Sequence, residues 1–360
     1  LGNNWTDDKN YAEEVNTLIG TKGVGLTSGY LYPGATYPYG MVQFTPSYFS
    51  KRSGFVINQL SGGGCEHMGN FPTFPVKGKL EMSPDNILNY RINVTEEQGH
   101  AGYYEAIVQE DIRAKLTVTE RTGMANYEYP ADLQYGTVII GGGISATPIE
   151  QAAVVITAPN KCEGYAEGGY FCGIRTPYKV YFVAEFDADA LESGTWKRDE
   201  LMPNTTFAEG EYSGVFFTFD VSRKKNIQYK IGISYVSVEN ARENLKVENT
   251  GWDFQQIQDQ AEARWNHYLS KIEVEGTNPD RTAQFYTHMY RSFIHPNVCS
   301  DVNGEYMGAD YKVHKSRSKH YTSFSNWDTY RTQIQLLSIL DPEVASDIVI
   351  SHQLFAEQSG

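Results

Sequence analysis

A change of hydrophobic period near residue 238 constrains this chain more than any other feature. Ahead of it, apolar and polar residues alternate. In residues 178–187, Val180, Phe182, Ala184 and Phe186 alternate with Lys179, Tyr181, Val183 and Glu185. In residues 226–238, Ile227, Tyr229, Ile231, Ile233 and Tyr235 alternate with Gln228, Lys230, Gly232 and Ser234. Period two predicts strands with one face buried. Residues 137–140 and 154–157 are shorter apolar runs bounded by Gly and Pro, again strand-like. Many strands without intervening helices predict two packed antiparallel sheets, a β-sandwich spanning residues 1–238.

Beyond that point the spacing becomes helical. Charged residues and Gln dominate 239–271, with Trp252, Phe254, Ile257, Ala261, Trp265 and Leu269 recurring at helical intervals. Pro is absent there and Gly251 is the one glycine, so residues 239–275 read as a helical linker. Asn278 as N-cap and Pro279 at the first helical position open a further helix. Phe285, His288, Met289, Ser292 and Phe293 form one of its faces, up to Pro296. Ser325 starts a third helix with Trp327, Tyr330, Ile334 and Leu337, and Asp341-Pro342 a fourth with Val344, Ile348 and Leu354. Residues 276–360 are therefore expected to begin an all-α domain.

At 360 residues the chain is too long for one comfortable core, and 40% hydrophobic residues exclude disorder. A net charge of −14 with no Lys/Arg cluster argues against nucleic acid and against anionic membranes as partners. No apolar run reaches membrane-spanning length, so membrane insertion is not expected. The sequence starts at Leu1 without a visible signal peptide, which reads as a processed, exported product. Cys162 and Cys172 flank a stretch rich in Gly and Tyr, and a hairpin closed by a bridge between them is expected if the protein is exported. Asn4-Trp5-Thr6, Asn93-Val94-Thr95 and Asn204-Thr205-Thr206 are glycosylation sequons.

Three stretches carry the chemistry. Tyr32-Pro33-Gly34-Ala35-Thr36-Tyr37-Pro38-Tyr39-Gly40-Met41-Val42-Gln43 is a rigid turning loop that feeds a strand at 41–44. Ser61-Gly62-Gly63-Gly64-Cys65-Glu66-His67-Met68-Gly69 allows positive φ and close approach of a ligand to backbone N–H groups. It lacks the Lys-Ser/Thr of a phosphate loop, and Cys65, Glu66 and His67 alternate faces if extended, which argues against one metal site. In Ser325-Asn326-Trp327-Asp328-Thr329-Tyr330-Arg331, Asp328 is either part of a capping box or a ligand-binding carboxylate. An aromatic platform beside a carboxylate and a guanidinium suits a sugar, and Asp328 and Arg331 at i, i+3 are spaced to pair.

Together these stretches resemble family 92 of the glycoside hydrolases. Asn16-Thr17-Leu18-Ile19-Gly20-Thr21, Pro33-Gly34-Ala35, Pro38-Tyr39-Gly40-Met41-Val42-Gln43 and Pro46 look like its opening signature. Ser61-Gly62-Gly63-Gly64-Cys65 is similar to its Ser-Gly-x-Gly-Cys loop, and Trp327-Asp328-Thr329-Tyr330-Arg331, followed by Pro342 and Ser351, to its first strong helical motif. The resemblance implies a β-sandwich joined through a helical linker to an (α/α)6 barrel. It implies an exo-acting, inverting α-mannosidase that uses Ca²⁺ on terminal α-mannosides of N-glycans or mannan, outside the cytoplasm. Inversion needs an acid and a base roughly 6.5–9.5 Å apart. In the family these, and most calcium ligands, lie later in the helical domain, so they are expected beyond Gly360 and the rest of that domain is needed for activity.

What the resemblance carries over is a mannose pocket, with Trp327, Asp328 and Arg331 on one wall and Gly64, Cys65 and Glu66 on the other. The run Glu66-His67-Met68-Gly69-Asn70-Phe71-Pro72 departs from the small polar residues expected there, which leaves α-1,2, α-1,3 and phosphomannose links open. Two other classes share parts of this pattern: inverting sugar phosphorylases of similar architecture, and non-catalytic carbohydrate-binding sandwiches.

Overall fold

The computed structural model describes residues 9–22, 30–47, 54–85 and 94–360. Among them two antiparallel sheets face each other. The eight-stranded sheet runs β1 (Ala35–Thr36), β2 (Gln43–Pro46), β3 (Phe55–Val56), β4 (Thr73–Lys77), β9 (Tyr135–Ile140), β16 (Ser213–Asp220), β13 (Glu192–Lys197), β14 (Glu200–Pro203). The nine-stranded sheet runs β15 (Phe207–Glu209), β10 (Ile149–Ala158), β11 (Lys161–Phe171), β12 (Ile174–Phe186), β17 (Asn226–Ser234), β8 (Thr122–Glu128), β7 (Ile112–Val118), β6 (Tyr103–Val108), β5 (Glu96–His100). The alternation along 178–187 lies in β12, whose Val180, Phe182, Ala184 and Phe186 are buried. Phe186 meets Phe217 of the opposite sheet with ring centroids 4.9 Å apart, closing one core between the sheets. The strand expected at 41–44 is β2, which starts two residues later.

Helices follow: α1 (Val238–Glu248), α2 (Phe254–Leu269), α3 (Pro279–Ser292), α4 (Asn326–Thr329), α5 (Gln333–Leu340) and α6 (Pro342–Ser359). Ser237 and Asp253 cap α1 and α2, each accepting a backbone N–H three residues on. Both helices lie against the nine-stranded sheet. Ala241 and Leu245 of α1 pack on Val183, and Phe254 and Ile257 of α2 pack on Tyr103 and Met124. The approach of α1 is close: a Cβ at Gly232 would come within 2.7 Å of the Ala241 carbonyl.

Four expectations need correction. In α3 the buried side chains are Tyr286, Thr287, Met289 and Tyr290, while His288 is exposed. The stripe is rotated because tyrosines form it: Tyr290 lies 4.5 Å from Trp265, ring to ring, and its hydroxyl meets Thr36 Oγ1 at 2.7 Å. The region after α3 is not all helical, since β18 (Asn297–Val298) pairs with β21 (Tyr321–Thr322), and β19 (Glu305–Met307) with β20 (Val313–Lys315). The helix expected from Ser325 breaks at Thr332, a left-handed residue with φ 74°, leaving a single turn in α4. Finally, Cys162 and Cys172 are not bridged. Residues between them form one extended strand, β11, rather than a closed hairpin, which separates them by about 33 Å at ~3.3 Å per residue. Cys172 instead bonds Cys65, with Cα atoms 5.3 Å apart and 107 residues between them in sequence, while Cys162 and Cys299 are buried free thiols. The sequon Asn4-Trp5-Thr6 and the Asn93 of the second lie outside the described residues; Asn204 sits on an exposed turn with φ 62°.

Residues 32–40 form the seam between sandwich and helices. Trp265 Nε1 donates to the Thr36 carbonyl at 2.7 Å, and Arg291 donates to the carbonyls of Tyr32 (3.1 Å) and Thr17 (2.7 Å). Tyr39 donates its N–H to the Phe293 carbonyl, and its own carbonyl accepts from Val298 N, both at 2.8 Å. Its ring stands edge-on to Tyr268, Phe293 and Tyr321, with centroids 5.7, 6.1 and 6.2 Å away. The Tyr39 hydroxyl is buried with no hydrogen-bond partner among the described residues. Stability should therefore rest on the ring and not on the hydroxyl. Tyr39→Ala should cost about 3–5 kcal/mol, and Tyr39→Phe less than about 1 kcal/mol, as read from denaturant midpoints.

Candidate functional site

The Gly-rich loop leaves the sheet after Gln59, whose N–H donates to Gln43 Oε1 at 3.1 Å, while Gln43 Nε2 donates to the Gly40 carbonyl at 2.8 Å. One side chain of the opening motif thus fixes the start of the loop. His67 folds back beneath it: its Nε2 accepts the Leu60 N–H at 2.8 Å and its Nδ1 faces the Cys65 carbonyl. This pair of contacts requires the neutral ring with hydrogen on Nδ1. Burial lowers the His67 pKa, opposed by those backbone contacts, so the neutral form is the resting one. Gly63 lies against that imidazole, where a Cβ would meet Cε1 at 2.6 Å. Gly62 and Gly64 have φ values of 74° and 68°, and nothing lies within 4 Å of where their Cβ atoms would be. The loop thus presents bare backbone outward and is braced from behind.

His295 supplies a second brace. Its Nε2 accepts the Ser61 N–H at 2.7 Å, and its Nδ1 lies 2.7 Å from Asn297 Oδ1. Asn297 Nδ2 in turn donates to the Gly40 carbonyl at 2.8 Å. Burial pushes the His295 pKa down to about 4 although Asn297 works the other way, so the ring is neutral. Gln333 at the start of α5 donates from Nε2 to the carbonyls of Ser292 and His295, both at 3.0 Å. The loop and the start of α5 are therefore both tied to His295.

On the helical wall Trp327 is 81% exposed. Its neighbour Asn326 accepts at Oδ1 from His352 Nε2 at 3.0 Å, and His352 stacks on Phe324 at 3.7 Å between centroids. With an oxygen on that side, the imidazole is the donor. Arg331 is exposed and donates from Nε to the Tyr330 hydroxyl at 3.0 Å. The Asp328 side chain, and with it the expected pairing to Arg331, lies outside the described residues. On the loop wall, Gly64 and Glu66 are exposed and Cys65 is held in the disulfide. His67, His295, Asn297 and Gln333 were missed as parts of the site, although His67 sits inside the loop motif and His295 immediately precedes the helix-ending Pro296.

The best-buried carboxylates are committed to the framework. Asp301 accepts from Ser234, Asn240 and Asn244, and burial raises its pKa despite them. Glu120 is desolvated, which raises its pKa, but Arg121 and Lys319 outweigh this and hold it below the usual range. Among the described residues no three His, Cys, Asp or Glu converge on a point that could hold a metal ion.

The sequence pattern of the glycosyl hydrolase family 92 N-terminal domain matches residues 14–234, and that of the family 92 catalytic domain matches residues 240–360. A curated relative from Arthroderma benhamiae, described as an uncharacterized secreted glycosidase, is 25% identical, covering 89% of this chain and 45% of that protein. The family GH92 α-mannosidase of Bacteroides thetaiotaomicron has a similar structure, with a TM-score of 0.87 at 25% identity over 98% of this chain and 50% of that one. Its complex with mannoimidazole gives a TM-score of 0.88 at 25% identity, over 98% of this chain and 49% of that one. The chain spans about half the length of these relatives.

The neutral His295 brace makes an acid-sensitive loop. A pKa moved from 6.5 to about 4 on folding contributes stability that is present above the unfolded value and is lost as pH falls through that window. The loss should be on the order of 3 kcal/mol between pH 6.5 and 4. His320, also pushed down to about 4 by burial, loses stability in the same range. His295→Gln keeps an acceptor for Ser61 but does not titrate, so the difference between its unfolding curves and the parent's across this range isolates the His295 share.

Proposed function

The chain belongs to glycosyl hydrolase family 92, and from that premise we propose that the whole protein is an exo-acting α-mannosidase. It releases terminal α-linked mannose from glycans such as N-glycans or mannan, with inversion and with the help of Ca²⁺. The observation that carries this reading is the order and extent of the two family patterns, together with a shared fold with an α-mannosidase that accommodates mannoimidazole.

The described residues suit one end of such a pocket. Trp327 offers an open indole face for the apolar side of a pyranose. The bare backbone at Gly62 and Gly64 lets a sugar approach main-chain groups that larger residues would cover. Asp328 and Arg331 take the roles of acceptor and donor for mannose hydroxyls, and Cys65 and Glu66 complete the loop wall. The sandwich (1–238) and the helical region (276–360) would then be two walls joined through 239–275, the helical part belonging to an (α/α)6 barrel. The acid, the base and the calcium ligands fall to other parts of the protein. When bound, calcium supplies coordination of vicinal hydroxyls, which favours distortion of the ring.

Location outside the cytoplasm fits the Cys65–Cys172 bond, since disulfides persist in oxidising compartments. It also fits the description of the Arthroderma relative as secreted. Among the described residues no helix is long and apolar enough to cross a membrane.

Two measurements on the whole protein test the proposal. Mannose release from an aryl α-mannoside, followed by NMR of the new anomer, should show inversion, should stop after thorough chelation and should return with Ca²⁺. Rates untouched by chelation would remove the calcium requirement. Asp328→Asn separates sugar binding from helix capping. A binding role predicts kcat/KM lower by about 100-fold, equivalent to roughly 2–4 kcal/mol of transition-state stabilisation, with near-normal melting. A cap alone would cost about 0.5–1 kcal/mol of stability and leave the rate within a few-fold.

A further inference from the structure

The hairpin β11–β12 is longer than the sheet that carries it. Its pairing with β10 ends at Gly168 opposite Ile149, and its pairing with β17 begins only at Tyr181. The last pairs, Tyr170 with Arg175 and Phe171 with Ile174, are made within the hairpin alone, past a register shift at Gly169. The turn has φ values of 51° at Cys172 and 80° at Gly173. Two left-handed residues in a row make a type I′ turn, in which Asn or Asp is favoured at the first place. A cysteine there is a poor turn residue, and its sulfur is engaged with Cys65 of the Gly-rich loop. An overhanging two-stranded tip would otherwise fray. Phe171 adds a second contact, with its ring 5.9 Å from His67, the residue bracing the loop from beneath. Tip and loop are thus one unit, yet the tip leaves a large apolar residue, Ile174, 68% exposed beside the bonded sulfurs. The tip offers no unpaired cation: Arg175 is engaged by Glu150 through two bonds of 2.6 and 2.7 Å.

We propose that this tethered tip forms the wall of the pocket on the leaving-group side, where Ile174 packs against the neutral sugar to which the terminal mannose is attached. The inference rests on the mannosidase reading and adds what that reading lacks, a determinant of preference for the rest of the glycan. Cys172 acts as a positioning residue: its bond holds the tip against the loop that receives the terminal sugar. Preorganisation of this kind affects the binding of a substrate long enough to touch the tip and spares one that is not.

The test compares the complete protein with Ile174→Ser and Cys172→Ser variants, using α-mannosyl fluoride, which carries no sugar or ring on the leaving-group side, and an α-linked mannobiose. Ile174→Ser should lower kcat/KM for mannobiose by about tenfold, chiefly through KM, while the fluoride changes by less than about twofold; Cys172→Ser, which also frees Cys65 in the loop, should lower both, mannobiose by several-fold more. A ratio of the two substrates that stays within about twofold of the parent in Ile174→Ser overturns the assignment of the tip. The same constancy in Cys172→Ser overturns the role of the bond. Ile174→Ser keeps the disulfide and changes an exposed side chain, so it carries the test even if Cys172→Ser fails to fold. Failure of the parent protein to release mannose from either substrate would instead overturn the mannosidase reading, and this inference with it.

Discussion

The backbone of residues 32–40 cannot satisfy itself. It turns through two prolines and two glycines, pairs over only two residues in β1, and is buried. Buried carbonyls need donors, and here these come from the helices: the indole of Trp265 for Thr36 and the guanidinium of Arg291 for Tyr32. The dependence is mutual. Trp265 and Tyr290 are fully buried aromatic residues whose polar atoms find partners on the sandwich side, both at Thr36. Neither part could drop the other without exposing apolar surface and stranding hydrogen-bonding groups, so sandwich and helices form one cooperative body at this seam. A second tie reinforces it: Arg121 of the β7–β8 turn joins Glu120, Glu248 at the end of α1 and the Ser300 carbonyl.

The candidate pocket hangs from that seam at one remove. Gly40 accepts from Gln43 and from Asn297, and these two side chains lead to neighbouring points at the start of the same loop. Gln43 fixes Gln59, where the loop departs, and Asn297 orients His295, which holds Ser61. Both histidines act as neutral acceptors for backbone N–H groups, a task that a lysine or arginine could not perform. Burial keeps them neutral, so the same desolvation that excludes water from the seam sets the protonation state on which the loop depends.

Strands were legible because half-buried sheets impose period two, and the inward residues of β12 are those that the alternation names. Helix starts with a polar cap were also legible, as at Asn278 and Asp341. Other features depend on contacts that local sequence does not contain. The buried face of α3 differs from the expected stripe because Tyr286 and Tyr290, which the stripe leaves out, lie fully inside. The break at Thr332 has no Gly or Pro to announce it; Gln333 and Gln335 hydrogen-bond back across it, to Ser292 and His295 and to Tyr330. Proximity in sequence misled the pairing of cysteines. Cys162 points into the sandwich core, while the partner of Cys172 is 107 residues away. For the site, the glycines and the exposed Trp327 were readable as motif residues, but the imidazoles behind them were not, because a brace is defined only by what it holds.

The distribution of charge bears on the proposed sugar pocket. The chain carries a net charge of −14, yet the parts of the loop wall that face outward at Gly62 and Gly64 are uncharged backbone, and the rings behind them are neutral. The carboxylates nearest the seam are neutralised in pairs or held by amides and hydroxyls, as Glu120 is by Arg121 and Lys319, and Asp301 by Ser234, Asn240 and Asn244. They work as fasteners between sandwich and helices. On the proposed reading, the bare backbone of the loop and the open indole of Trp327 offer a sugar hydrogen-bonding groups and an apolar face. In the proposed pocket, charge would come from Glu66 on the loop side and from Asp328 and Arg331 on the helical side. On that reading the bare backbone would receive the sugar, and the charged side chains would act on the hydroxyls so placed. That division of labour requires the two walls to keep their spacing, which is what the seam at residues 32–40 provides.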